Sequence, residues 1–199
     1  SLKLDLSFFG ENHPSVASGY YNIGYVYFAQ GDYSKALEYF EEVLKIRLSV
    51  YGENHSRVAS VYNDIGEIYS VQGDDFKALD YFKKSLKIVL SVYGENHSQV
   101  SSIYDHIGEI YFAQKDYSKA LYYFEESLKI RLSLFGENHP EVALSYYSIG
   151  SLYIIQGDKS KALNYYEKSL KIRLSVYGEN HPLTKEIMDL INVANSKVL

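Results

Sequence analysis

Apolar positions recur along this chain with a helical period, in runs separated by short polar breaks. Between Pro14 and Ala29 the residues Val16, Tyr20, Ile23, Tyr27 and Phe28 fall three and four apart, which places them on one face of a helix. Gly31-Asp32 interrupts the run. A second periodic run follows, made of Ala36, Leu37, Phe40, Leu44, Leu48 and Tyr51, and ends at Gly52, where a residue lacking Cβ can close a helix in the left-handed conformation. No run shows the strict alternation of a half-buried strand. The same two runs return down the chain, predicting a first helix, A, over 14–29, 56–71, 98–113 and 140–155, and a second, B, over 33–51, 75–93, 117–135 and 159–177.

The break between helix B and the next helix A carries the tetrad Gly-Glu-Asn-His, starting at Gly10, Gly52, Gly94, Gly136 and Gly178, always 42 residues apart. A fixed period of this length marks a solenoid, in which one supersecondary unit stacks on copies of itself. Four repeats (10–51, 52–93, 94–135 and 136–177) with a closing loop to 181 are expected, followed by a C-terminal capping helix within 182–199. That last segment mixes Lys185, Glu186 and Asp189 among Ile187, Met188 and Leu190, as the solvated end of a stack would. Residues 1–9 match Ser169–Tyr177, the last turns of a helix B, and are expected to be the remnant of a preceding one. Its Leu2, Leu4, Leu6, Phe8 and Phe9 would offer an apolar surface for end-to-end self-association.

Composition changes the picture in three places. The chain is 46% hydrophobic, which suits a folded protein, and its aromatics are 22 Tyr and 9 Phe with no Trp. The net charge of −5, without runs of like charge, argues against a nucleic acid or an anionic membrane surface as partner. There is no cysteine, so neither a disulfide framework nor a thiolate site exists, and the cytoplasm is the expected location.

The residues Tyr20, Ile23, Gly24, Tyr27, Gly31, Ala36 and Phe40 resemble the tetratricopeptide pattern, in which small residues at the Gly24 and Ala36 positions let two helices pack closely. The usual period is about 34 residues, and the family's proline after helix B is replaced here by Leu48, Leu90, Leu132 and Leu174. Without it helix B can run about two turns longer, which accounts for the extra length. Gly10-Glu-Asn-His-Pro-Ser-Val-Ala17 and Gly136-Glu-Asn-His-Pro-Glu-Val-Ala143 are similar to the kinesin-light-chain form of the repeat. The resemblance implies an all-α, right-handed superhelical solenoid of antiparallel helix pairs, without enzymatic activity, that binds proteins or peptides on a concave face lined by A helices.

Repetition itself weighs against catalysis or metal binding. His13, His55, His97, His139 and His181 share one phase, but packed helices lie ~8–10 Å apart, too far for neighbouring copies to share an ion at ~2.1 Å. No metal or cofactor is therefore expected. The informative positions are those where the copies differ. In helix A these are Tyr21-Asn22, Asn63-Asp64, Asp105-His106 and Tyr147-Ser148, then Tyr25, Glu67, Glu109 and Ser151, then Phe28 and Phe112. They correspond to the positions that line the concave face in the tetratricopeptide family. The expected groove has an acidic middle (Asp64, Glu67, Asp105, Glu109, with His106) flanked by Tyr21, Tyr25 and Tyr147. It would favour a basic protein or peptide and disfavour a carboxylate-terminated one. An architectural spacer or self-associating solenoid without a peptide ligand is the alternative.

Overall fold

The computed structural model describes Gly10 and residues 13–196. The remnant at 1–9, with the self-association surface placed on it, lies outside the described residues. The described chain forms α1 (Pro14–Ala29), α2 (Tyr33–Tyr51), α3 (Ser56–Val71), α4 (Asp75–Tyr93), α5 (Ser98–Ala113), α6 (Tyr117–Phe135), α7 (Pro140–Ile155), α8 (Lys159–Tyr177) and α9 (Pro182–Asn195), with no strand among the described residues. The odd-numbered helices α1 to α7 are the A helices and the even-numbered ones the B helices, at the bounds the periodicity predicts. The chain divides into two compact units, residues 1–94 with α1–α4 and residues 95–199 with α5–α9. Within each unit, sequential helices pack on one another.

Both ends of each helix are set by local chemistry. The B helices open on Asp32, Asp74, Asp116 and Asp158, whose carboxylates accept the N–H three residues on and pair with the lysine at the same place (Asp32 Oδ2 to Lys35 Nζ, 2.8 Å). The hydrogen bonds from the lysine side chain and from its backbone N–H, with the lysine charge behind them, hold all four carboxyls below the usual aspartate range. The turn before each cap needs a left-handed residue. Gly31, Gly73 and Gly157 supply it, while Lys115 adopts φ 63° in repeat three, so glycine is favoured there and dispensable.

Each A/B pair closes on a contact between a glycine and an aromatic ring. Gly24, Gly66, Gly108 and Gly150 face Phe40, Phe82, Phe124 and Tyr166 respectively, and all four rings are buried. Around these contacts lie alanines of the B helix (Ala36, Ala78, Ala120, Ala162) and aliphatic residues of the A helix, such as Val58, Ile65 and Ile68 in α3. A Cβ at Gly108 would stand 2.7 Å from Phe124 Cε1, whereas at Gly24 the nearest ring atom is 3.2 Å away. Alanine gains ~1 kcal/mol of helix propensity over glycine, and overpacking costs about 1–3 kcal/mol. Gly24→Ala should therefore be close to neutral, and Gly108→Ala should destabilise by about 1–2 kcal/mol. Urea unfolding of the two variants checks the ranking, which would be wrong if Gly108→Ala were the more stable of the two.

Candidate functional site

The repeated histidines are helix caps. Nδ1 of His13, His55, His97, His139 and His181 accepts the N–H two residues on, at 3.1–3.2 Å, satisfying a donor the helix start leaves free. The rings of His55, His139 and His181 stack on the last aromatic of the preceding helix B, with centroids 4.5, 4.4 and 4.5 Å from those of Tyr51, Phe135 and Tyr177. Capping and stacking together explain why histidine recurs at this phase. Among the described residues no group of histidine and acidic side chains converges as a metal site.

The diverging A-helix residues split into an exposed set and a set drawn into the packing. In unit one Asn22 and Tyr25 are exposed, and Phe28 is half-buried against Tyr33. Asn63 donates to Glu67 across one turn at 2.6 Å. Tyr21 lies half-buried against Phe40, its hydroxyl hydrogen-bonded to Asp64 of the next A helix, with the Arg47 guanidinium 5.0 Å above its ring. Asp64 is mostly enclosed, and its Oδ2 has no hydrogen-bond partner among the described residues. Loss of water pushes its carboxyl up to about 7, against the pull of the Tyr21 hydroxyl and Arg47 and with the help of Glu67. The same contacts raise Tyr21, burial first and Asp64 second.

In unit two Asp105 meets Arg131 of α6, Nη2 to Oδ2 at 2.7 Å, and Arg131 also reaches Glu141 at 3.0 Å and the Ser145 hydroxyl at 2.8 Å on the following helix. Burial raises the Asp105 carboxyl to about 6 in spite of that cation. Tyr147 donates to Glu186 Oε1 at 3.1 Å, beneath the Arg173 guanidinium 4.9 Å from its ring, and Arg173 also contacts Glu186 at 3.3 Å. Ser151 bonds the Tyr147 carbonyl and the Tyr166 hydroxyl. Glu109 stays exposed, Ser148 and His106 are half-buried, and Phe112 packs edge-on against Tyr117.

Pattern reading of the A helices missed the cations that face them. Arg47, Arg131 and Arg173 occupy one position of helix B, and each touches the A helix of its own repeat and the A helix that follows. Valine takes this position in α4, as buried Val89. A residue that is arginine in three copies and valine in the fourth, within an otherwise apolar stripe, was the available signal. It marks a guanidinium whose stem packs in the core while its head finds partners.

The tetratricopeptide repeat model matches residues 1–49, 15–91, 57–133 and 99–175, and so covers most of the chain. The chain belongs to the tetratricopeptide repeat family. Proteins of this family generally mediate protein–protein interaction and are typically non-enzymatic. The crystal structure of BtubC (BKLC) from P. vanneervenii superposes with a TM-score of 0.74 at 27% identity, over 84% of this chain and 66% of that one. A Podosopora anserina putative kinesin light chain with nearly identical TPR-like repeats gives a TM-score of 0.76 at 18% identity, over 92% and 86%. Apo RapI gives 0.75 at 18%, over 89% of this chain and 62% of that one. The chain thus spans about two thirds of BtubC and of RapI, and the likeness to these structures is one of fold. A comparison with curated proteins gives no match. No described helix is long and apolar enough to cross a membrane.

Asp64 gives the tetratricopeptide unit a pH dependence whose sign is fixed. Its folded pKa of about 7 lies above the ordinary aspartate value of 3.8, so between those values the folded state holds more protons than the unfolded one. Stability from this group is therefore full at low pH and falls as pH rises through 7. Asp64→Asn should be the more stable protein at pH 7.5, with its advantage shrinking on the order of 1–3 kcal/mol by pH 4.5. Urea unfolding at the two pH values measures this. An advantage that does not change with pH would show that the carboxyl is solvated.

Proposed function

We propose that the chain is a protein-interaction module whose A-helix face docks a peptide or a partner's helix. The observation that carries this reading is the distribution of differences among the copies. The glycine–aromatic contact, the alanine of helix B and both helix caps recur in every repeat, whereas Asn22, Asp64, His106 and Ser148 stand at one A-helix position and Tyr25, Glu67, Glu109 and Ser151 one turn on. A repeated scaffold with non-repeated side chains suits a ligand that differs along its length.

The proposed docking set is Tyr21, Asn22, Tyr25, Phe28, Asn63, Asp64 and Glu67 in unit one and Asp105, His106, Glu109, Phe112, Tyr147, Ser148 and Ser151 in unit two. The exposed members, Asn22, Tyr25 and Glu109, would make first contact. Asp64 and Asp105 would contribute less charge than their formal values, because one is raised to about 7 and the other faces Arg131. The preference for a basic partner then falls mainly to Glu67 and Glu109. We place the encounter in the cytoplasm, which suits a chain without cysteine.

A random peptide library panned against the wild type and against Glu67→Lys/Glu109→Lys tests the reading. Basic peptides should be enriched by the wild type and lost on charge reversal, and added salt should weaken capture, since exposed charges are screened beyond ~8–10 Å. Enrichment of acidic peptides, or an unchanged set after reversal, would overturn the basic preference. A library that enriches nothing would favour the architectural spacer.

A further inference from the structure

Every repeat carries a stack of three tyrosines on a different set of positions from the docking residues above. In repeat two Tyr62 and Tyr69 flank Tyr81, with centroids 6.0 and 5.6 Å from it. Tyr104, Tyr111 and Tyr123 repeat the arrangement in repeat three, at 5.6 and 5.7 Å. In all four repeats the outer ring (Tyr27, Tyr69, Tyr111, Tyr153) carries a lysine from the start of helix B, 4.8–5.0 Å from its centroid.

The other two rings are treated differently from repeat to repeat. Lys84 sits 4.8 Å from Tyr81 and 6.0 Å from Tyr62, and Lys168 sits 5.2 Å from Tyr165 and 5.5 Å from Tyr146. Repeats one and three have Glu42 and Glu126 at that position, in the same 42-residue phase as the two lysines. Among the described residues no cation lies over Tyr104 or Tyr123. A cleft of about 330 Å³ opens there, lined by Glu95, Asn96, Tyr104, Tyr122, Glu126 and Lys129, whereas its counterpart beside Lys84 is about 220 Å³. Tyr122 is 58% exposed, stands edge-on to Tyr123 behind it, and supplies the second aromatic wall. Glu126 is held only by Lys129, 3.6 Å away and itself largely exposed. Burial, then Tyr122, Glu126 and Glu95, raise the Tyr104 hydroxyl.

We propose that the Tyr104–Tyr122 cleft of repeat three receives a lysine or arginine side chain of a partner protein, in the place where repeats two and four hold their own lysine. Two carboxylates, one of them shared with Lys129, and two aromatic rings around an open volume are complementary to a cation on an apolar stem. Lys84 and Lys168 show that the tyrosine pair of repeats two and four accepts an ammonium at 4.8–6.0 Å. The substitution to glutamate removes that internal occupant and adds an anion in one step. Repeat one carries the same exchange at Glu42, beside Tyr20, Tyr39, Glu38 and Glu41. None of the A-helix docking residues lines either cleft, so this site stands or falls apart from the proposed function.

The test is a titration of the whole chain with acetyl-Gly-Lys-Gly-Lys-Gly amide and its norleucine counterpart, followed by NMR of the tyrosine rings. The lysine peptide should shift Tyr104, Tyr122 and Tyr123 and bind about three- to thirtyfold tighter than norleucine, the range a cation–π contact supports. Glu126→Lys should fold like repeats two and four and abolish those shifts, because its own ammonium would occupy the rings. Lys84→Glu should create a new responsive site at Tyr62 and Tyr81. Equal binding of both peptides, unchanged shifts in Glu126→Lys, or no gain in Lys84→Glu would each overturn the proposal.

Discussion

Everything in this fold depends on how closely helix A can approach helix B. A ring of phenylalanine or tyrosine packs against a glycine in each pair, where an added Cβ would stand 2.7–3.2 Å from the nearest ring carbon. With that contact fixed, the B-helix alanine is buried and apolar residues of both helices meet in one cluster, as Val16, Ala17, Ala36 and Phe40 do in the first pair. The contact lies at one height along the pair, so it also fixes which side chains remain outside. The exposed A-helix positions and the tyrosine stacks both lie outside that contact.

The second constraint is electrostatic. A guanidinium at the Arg47, Arg131 and Arg173 position is almost wholly withdrawn from water in unit two, where Arg131 and Arg173 are each 4% exposed. A charge so placed must be paired. Asp105 and Glu141 pair with one, Glu186 and the Tyr147 ring with the other. Acidic residues on the A-helix face are thus partly counter-ions of the core, which lowers the negative potential that the face presents. Asp64 loses charge by another route, since Arg47 is turned toward Tyr21, Arg57 and Ser60, leaving burial to set its state.

The helices were legible in the sequence down to their ends because local signals agreed with the pattern at every boundary. Aspartate and histidine caps, left-handed glycines and prolines at helix starts all fall where the apolar period stops. The site was legible in part. Divergence among copies located Asn22, Tyr25 and Glu109 on the exposed side, which needs only helical geometry. It could not reveal that Tyr21, Asp64 and Asp105 turn inward, because that depends on Arg47 and Arg131 arriving from a different helix. Spacing within a helix predicts a face, while partners across helices depend on packing depth and side-chain reach.

Near-identity among the copies turns the chain into its own set of controls. The exchange of lysine for glutamate at positions 42, 84, 126 and 168 leaves the tyrosine stacks nearly unchanged, with the ring pair at 5.6 Å in repeat three and 6.0 Å in repeats two and four. The stack therefore does not need the lysine for its geometry. Nor does the pair need a long basic stem to fill space, since the repeat lacking one leaves a larger cleft without collapsing. The position makes only surface ion pairs along its own helix, Lys84 to Asp80 and Glu126 to Lys129, so a reversal of charge there changes what the surface attracts. Of the changes the scaffold would tolerate there, glutamate is the one that makes an aromatic cleft most attractive to a cation.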